Sequence, residues 1–349
     1  MSKRFEYRPI VQKNASPSMS DVAEAAGVSL STVSYVLSGK RTISAATRQR
    51  VEEAIEKLGF SPNAGARALA SKKSQTIGLM VPFSPDVDFS VVMQFVGAAV
   101  SAARAVDYNV LLLTHEDGSG IQREAASGSI DGIVMMDVEY DDPRIPLLSG
   151  LPIPAVLIGL PRDPWGLACI DFDFTQASRT AVGHLVGLGR RNIAFIGSPA
   201  EALTRHVNYA ERSWLGFLDA AGDAGIRHLE LSCEAGLDAA EAAVAQIASK
   251  LPEVDGIVVH NESVLPFLQA ALTRSGLAIP SQVSLVAVCP DNIAEAAPLP
   301  WTSVGIPTDR IGRTAVDMLM ARINGDPHQP EQRLIGSPLT QRATSVKAG

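Results

Sequence analysis

The sequence predicts an all-α head of three short helices joined to an α/β body built on parallel sheets. Three observations carry this. Residues 18–58 hold capped helical patterns separated by tight turns. From Thr76 onward, short apolar strands alternate with amphipathic helices, the pattern of doubly wound parallel sheets. The chain has 349 residues, and its α/β stretch is longer than one such sheet normally takes, so two α/β subdomains are expected.

Residues 1–17 carry Lys3, Arg4, Arg8 and Lys13 with two prolines and little apolar periodicity, and read as a flexible basic arm. Ser18 is placed to cap the first helix, with Asp21 at capping-box spacing. Gly27 supplies the chain reversal and Ser29 is placed to cap the second helix. Val22, Ala23, Ala26, Val33 and Leu37 are spaced to bury a shared face. Leu30, Ser31, Ser34 and Tyr35 then fall on the opposite side of the second helix. That side is small, partly polar and free of acidic residues, as a helix entering a major groove needs to be. Ser44 is placed to cap a third helix, with Val51, Ile55 and Leu58 inward and Gly59 as its stop. Ser61-Pro62 breaks the chain, and Asn63–Ala70 is a short helix candidate before a polar link.

In the body, Thr76–Val81 reads as a buried strand. Phe89–Val106 reads as an amphipathic helix with Val92, Phe95, Val96, Ala99, Val100 and Ala103 inward. Further strands are expected at Val110–Leu113, Ile133–Met136, Ala155–Ile158, Ile193–Ile196, Ile257–Val259 and Leu285–Val288. Helices near 119–127, 175–188, 208–222, 238–250, 263–275 and 308–323 are interleaved with them.

Charge is uneven. Of 30 basic and 37 acidic residues, 12 and 6 fall within residues 1–75, leaving 18 against 31 for the rest. A basic segment on an acidic body suits a head that binds a polyanion while the remainder is repelled. No apolar run approaches the roughly 20 residues of a membrane span. The N-terminus lacks the apolar stretch of a secretory signal, so a cytoplasmic protein is expected. Cys169, Cys233 and Cys289 make neither a disulfide framework nor a metal-ligand spacing, so no metal or cofactor is expected. The sequence holds no phosphate loop and no Gly-x-Ser-x-Gly elbow. Asp171 and Asp173 read as structural rather than as a catalytic carboxylate pair, and no enzyme is expected.

Met19–Lys40, above all Asp-Val-Ala-Glu-Ala-Ala-Gly-Val-Ser and Ser-Thr-Val-Ser-Tyr-Val-Leu-Ser-Gly, closely resembles the head of the lactose/galactose-repressor family of bacterial transcription regulators. The resemblance continues through Leu58-Gly59-Phe60-Ser61-Pro62-Asn63-Ala64, Ile77-Gly78-Leu79-Met80-Val81-Pro82, Ile193-Ala194-Phe195-Ile196-Gly197 and Gly216-Phe217, and covers essentially residues 18–345. It implies a helix-turn-helix head and hinge helix joined to an α/β, two-lobed, periplasmic-binding-protein-like body. The implied domains are a helix-turn-helix unit over 18–61, a hinge helix and linker over 62–74, and an effector-binding, dimerising body over 75–345. Its lobes would take about 75–161 with 303–324, and about 165–300 with 330–345.

The resemblance implies a homodimer on a palindromic double-stranded operator, acting as a repressor. Leu30, Ser31 and Tyr35 take the base-reading positions, and Tyr35 departs from the arginine common there. A tyrosine cannot make arginine's bidentate contact to guanine, so a different operator sequence is expected. Ser29, Thr32 and Ser34 are candidates for phosphate contacts. Residues 63–70 match the family's hinge helix, which enters the minor groove, with Asn63, Ala66 and Leu69 at DNA-facing positions and Leu69 as the wedge. Gly65 departs from a larger apolar residue and costs about 0.8–1.0 kcal/mol of helix stability relative to Ala.

A small-molecule effector, a sugar or another metabolite, would lie between the lobes. The resemblance places Asn261 at a cleft position and Asp173 at an acidic one, with Phe83 as a candidate lining residue. The family's gripping arginine falls at Ser213, with Arg212 one residue earlier, and Asp291 stands in a late-strand run that departs from the family's. A solute-binding protein of the same two-lobed fold is the alternative, and would have no use for residues 18–70.

Overall fold

The computed structural model describes residues 17–38, 41–60, 73–84, 87–114, 118–326, 328 and 330–347. The basic arm and the hinge positions Asn63, Gly65, Ala66 and Leu69 lie outside the described residues. The chain divides after Ser74 into two units.

Among the described residues the first unit holds three helices, α1 (Met19–Ala26), α2 (Leu30–Ser38) and α3 (Ala45–Leu58). Ser18 and Asp21 form the expected capping box, which satisfies backbone donors at both positions. Gly27, at φ 62°, takes the left-handed conformation that ends α1 and allows the tight turn. Ser44 caps α3 through the Thr47 amide, and Gly59 ends that helix in the same way as Gly27. Val22, Ala23, Ala26, Val33, Val51 and Ala54 are buried together with Phe60, while Leu37, Ile55 and Leu58 pack partly buried against them.

The second unit contains two six-stranded sheets. The first is built from β1 (Thr76–Met80), β2 (Asn109–Leu113), β3 (Gly132–Met135), β4 (Ala155–Ile158), β5 (Ala168–Phe172) and β11 (Gln332–Ile335), in the order β11-β5-β4-β3-β1-β2. All its pairings are parallel. The second comprises β6 (Asn192–Gly197), β7 (Arg227–Ser232), β8 (Gly256–Val259), β9 (Ser284–Cys289), β10 (Thr302–Gly305) and β12 (Leu339–Thr340), in the order β12-β10-β9-β8-β6-β7. There β12 alone runs antiparallel to its neighbour.

Helices α4 (Phe89–Ala105), α5 (Gly118–Ser127), α6 (Arg144–Ser149) and α13 (Thr308–Ile323) accompany the first sheet. The second is accompanied by α7 (Phe174–Gly187), α8 (Ala200–Thr204), α9 (Asn208–Ala224), α10 (Leu237–Lys250), α11 (Leu265–Arg274) and α12 (Asp291–Ala296). In α4, Val92, Val96, Ala99 and Ala103 are buried as expected and Phe95 is partly buried. Val100 instead stands exposed, because Ala98 and Ala102 turn inward and set the buried stripe one position aside.

The strand pairings move the lobe boundaries. Residues 168–172 and 332–335 belong to the first sheet, whereas 302–305 belong to the second. The chain therefore crosses between lobes after β5, between β10 and α13, and again between β11 and β12. In each sheet the order reverses about one strand, β1 between β2 and β3 and β6 between β7 and β8. A crevice opens at the carboxyl ends of strands at such switch points.

Candidate functional site

On the head, the face of α2 turned away from the core carries Leu30, Ser31 and Tyr35, all exposed, beside half-buried Thr32 and Ser34. Leu30 leaves 53% of its surface uncovered. Ser29 caps α2 by accepting from the Thr32 amide at 3.2 Å. Its hydroxyl also bonds those of Ser31 and Thr32, each at 2.8 Å. The Arg41 guanidinium lies 5.8 Å from the centre of the Tyr35 ring. A groove-facing helix start with hydroxyls, one apolar tip and one phenol can touch both base edges and phosphates.

In the body, a cavity of about 100 Å³ opens at the strand ends of both sheets. Its walls come from the first lobe through Asp88, Phe95, Asp137 and Asp171, and from the second through Tyr209, His260 and Glu262. A second cavity of about 390 Å³ shares Pro82, Met136 and Asp137 with it and is lined by Phe83, Glu139, Arg144 and Arg205.

The lobes meet along the rim. The Tyr140 amide donates to the His206 carbonyl at 2.9 Å, and the Asn208 amide to the Val138 carbonyl at 3.0 Å. Arg205 reaches Asp137 and Glu139, with 3.1 Å to the latter. Across the cavity mouth, Ser263 donates to Asp88 at 3.0 Å. Asp88 also caps α4 by accepting from the Ser90 and Val91 amides.

Charge within the cavity is shaped by burial. Desolvation raises Asp171 to about 6, held from rising further by Arg212. Glu262 is pushed up to about 7 by desolvation and the nearby Asp88 charge. Burial lowers His260 to about 4, so its ring is neutral at pH 7. That ring lies 5.0 Å from Phe174 and 5.9 Å from Tyr209, centre to centre. Its Nδ1 is buried without a hydrogen-bond partner among the described residues.

The expected effector residues separate into two groups. Phe83 lines the larger cavity, and Arg212 stands behind the smaller one, bonded to Asp171. Asp173 caps α7 through the Gln176 amide and lies 3.6 Å from Arg212.

The other three line neither cavity and make contacts within the fold. Ser213 is wholly buried and bonds Ser178 at 2.8 Å between α9 and α7. Asn261 turns away from the cavity to donate to the carbonyls of Gly197 and Cys233. Asp291 accepts from Ser303 and Arg342, fixing α12 to the last strands. His260 and Glu262 line the cavity in place of Asn261: His260 and Asn261 follow β8 as neighbours pointing to opposite sides, and Glu262 opens the turn beyond them. The alternation at the end of β8 was the available signal for them; Asp88 and Asp137 carry no comparable one.

A helix-turn-helix unit with an exposed, acid-free face, joined to a two-sheet body with a cavity between its lobes, defines a DNA-binding transcriptional regulator. Residues 18–63 match the lacI family of bacterial regulatory proteins, and residues 182–345 match the periplasmic binding protein-like domain. The chain is 29% identical to the HTH-type transcriptional regulator CelR of Thermobifida fusca, over 95% of this chain and 99% of that protein. It is also 29% identical to the HTH-type transcriptional regulator AglR of Rhizobium meliloti (strain 1021), over 95% and 94%.

Among solved structures, a transcriptional regulator CelR–cellobiose complex is 26% identical at a TM-score of 0.68, covering 94% of this chain and 99% of that one. The lac repressor dimer bound to operator and the anti-inducer ONPF shares the fold, with a TM-score of 0.82 at 24% identity over 95% and 99%. The chain thus carries a lacI-family head and a periplasmic binding protein-like domain.

Proposed function

We propose that this regulator is a cytoplasmic repressor that binds a palindromic operator as a homodimer and is controlled by a small-molecule effector between its lobes. The observation that carries the reading is the pairing of an exposed, acid-free α2 face with a cavity walled by both lobes of the body. One head supplies one half-site, and a palindrome mirrors a two-fold dimer. Leu30, Ser31 and Tyr35 read bases, and Ser29, Thr32 and Ser34 support phosphate contacts, with Ser29 also serving as the cap. Residues 63–70 enter the minor groove, with Leu69 as the wedge. Among the described residues, no helix is long and apolar enough to cross a membrane.

The relatives support an effector: CelR was solved with cellobiose. An effector must favour one arrangement of the lobes, since equal affinity for both shifts nothing. The rim contacts at residues 138–140 and 206–208 and the Asp88–Ser263 bond are the elements it would bias.

A gel-shift titration against palindromes with a central CG step, at 50 and 200 mM salt, tests the reading. Binding that weakens steeply with salt is expected, as lysine and arginine contacts to phosphate require. Absence of any salt-sensitive binding would overturn it.

A further inference from the structure

We propose that the effector is a small cationic molecule, an amine whose ammonium is received by Glu262 and His260 while a single-ring or short apolar body packs on the surrounding aromatic rings. This rests on the reading of the smaller cavity as the effector site.

The cavity is rich in acceptors. Asp88, Asp137, Asp171 and Glu262 all line it, and no lysine or arginine is among its described lining residues. Three of the four carboxylates already have partners. Asp88 takes the first amides of α4 and the Ser263 hydroxyl. Asp137 is bridged by Arg205, and Asp171 by Arg212. Glu262 has no ion-pair partner among the described residues, and the like charge of Asp88 acts on it.

Two residues earlier, His260 offers the independent observation. Its side chain is 3% exposed, it lines the same cavity, and its Nδ1 has no partner among the described residues. A neutral imidazole with its proton on Nε2 presents a lone pair at Nδ1. A carboxylate and an imidazole lone pair are two acceptors awaiting a donor, and an ammonium supplies three.

The remaining walls suit the same guest. Phe95, Phe174 and Tyr209 surround the site, and aromatic faces attract a desolvated cation. A neutral sugar needs donors for its oxygens as well as acceptors for its hydroxyls. The Asn208 side-chain amide gives one N–H to the Leu160 carbonyl, and the flanking arginines are held by carboxylates. The volume, about 100 Å³, is below the roughly 150 Å³ that accepts benzene, so it holds an ammonium with a short chain or part of one ring, the rest extending toward the adjoining cavity of about 390 Å³ that shares Pro82, Met136 and Asp137.

The site also reaches the lobe contact. Ser263, adjacent to Glu262, holds Asp88 of the opposite lobe. A cation drawn to Glu262 relieves its repulsion with Asp88 and so favours the closed arrangement.

Calorimetry and thermal shift on the full chain with matched pairs test this: putrescine against 1,4-butanediol, cyclohexylamine against cyclohexanol, and glucosamine against glucose, with cellobiose as a further neutral probe. At least one amine should bind at least tenfold more tightly than its neutral partner, and E262Q should lose that preference. Tighter binding of glucose or cellobiose than of every amine would overturn the proposal while leaving an effector-controlled regulator intact. Binding of an amine unchanged by E262Q would overturn it as well. If no probe binds and none alters the gel shift, both this assignment and the effector reading fall. The wild-type comparison of each pair stands even if E262Q does not fold.

Discussion

Arg212 donates to the Asp171 carboxylate at 2.8 Å and lies 3.6 Å from Asp173, so one guanidinium on α9 holds two carboxylates at the end of β5. The Arg212 side chain is 14% exposed and that of Asp171 8%. The pair stands where the chain leaves the first lobe for the second, behind the cavity wall.

Removing one partner of a buried pair leaves the other charged and unpaired, a loss of about 3–5 kcal/mol. Arg212→Ala is therefore expected to destabilise the body by that amount in urea unfolding. The double change Arg212→Met with Asp171→Leu should recover most of the loss, because apolar replacement removes both desolvation penalties. A loss below about 1 kcal/mol for Arg212→Ala would show that the pair is screened by solvent.

Gly216 makes the close approach between α9 and α7. A Cβ there would lie 2.5 Å from the Thr175 carbonyl oxygen and 2.7 Å from its Cα, both backbone atoms that cannot turn aside. Alanine gains about 0.8–1.0 kcal/mol of helix propensity over glycine, but forcing packed helices apart costs about 1–3 kcal/mol. Gly216→Ala should thus lower the midpoint of unfolding. Gly222→Ala in the same helix meets nothing within 4 Å and should raise it. Equal shifts in the two variants would show that the α7–α9 spacing is not fixed at Gly216.

Much of this arrangement was legible in the sequence, and the rest was hidden for identifiable reasons. The caps at Ser18, Ser29 and Ser44 and the stops at Gly27 and Gly59 are local chemistry, and each appears where its residue type demands. Strands β1, β3, β4, β6, β8 and β9 announce themselves as apolar runs buried on both faces. The edge strand β7, Arg-His-Leu-Glu-Leu-Ser, has no such run, because it is only half covered. Strand β5 carries Asp171 within a short stretch, which masks it as a loop. At the site, motif position favoured Asn261 and Ser213, yet a shift of one residue reverses a strand side chain and rotates a helical one by about 100°. His260 and Glu262 are the residues that line the cavity, and Arg212 stands behind it, bonded to Asp171. Asp88 and Asp137 meet them through the pairing of two lobes, which no local pattern encodes.

Tyr35 is exposed on α2 with Arg41 over its ring, and nothing in the head core depends on it. Tyr35→Ala is expected to leave thermal stability of the head within about 0.5 kcal/mol, as for a surface change. It should cost about 0.5–1.5 kcal/mol of discrimination between operator and unrelated DNA, as for a single hydrogen bond, while the salt dependence stays the same. Selection of bound sequences from a random library would read this directly. Unchanged sequence preference would remove Tyr35 from the base-reading set.

Glu262 sets the sign of a pH response in the ligand-free protein. Its folded value, about 7, lies above the ordinary 4.5, so the folded state binds the proton more tightly than the unfolded chain. That contribution is fully present below about 4.5 and is lost as pH rises through 7. Asp171, raised to about 6 from 3.8, acts in the same direction at lower pH. His260, lowered from 6.5 to about 4, opposes them as pH falls below 6.5. Asp88 faces Glu262 from the start of α4, and the Cys289 thiol at the end of β9 feels its charge. Between pH 6.5 and 7.5 Glu262 dominates, so the unfolding midpoint should fall across that interval. Glu262→Gln should flatten the fall from about pH 4.5 through 7, leaving in place the contribution of Asp171, which is lost by about pH 6. A wild-type midpoint that rises from pH 6.5 to 7.5 would mean that a cation within the folded chain already neutralises Glu262.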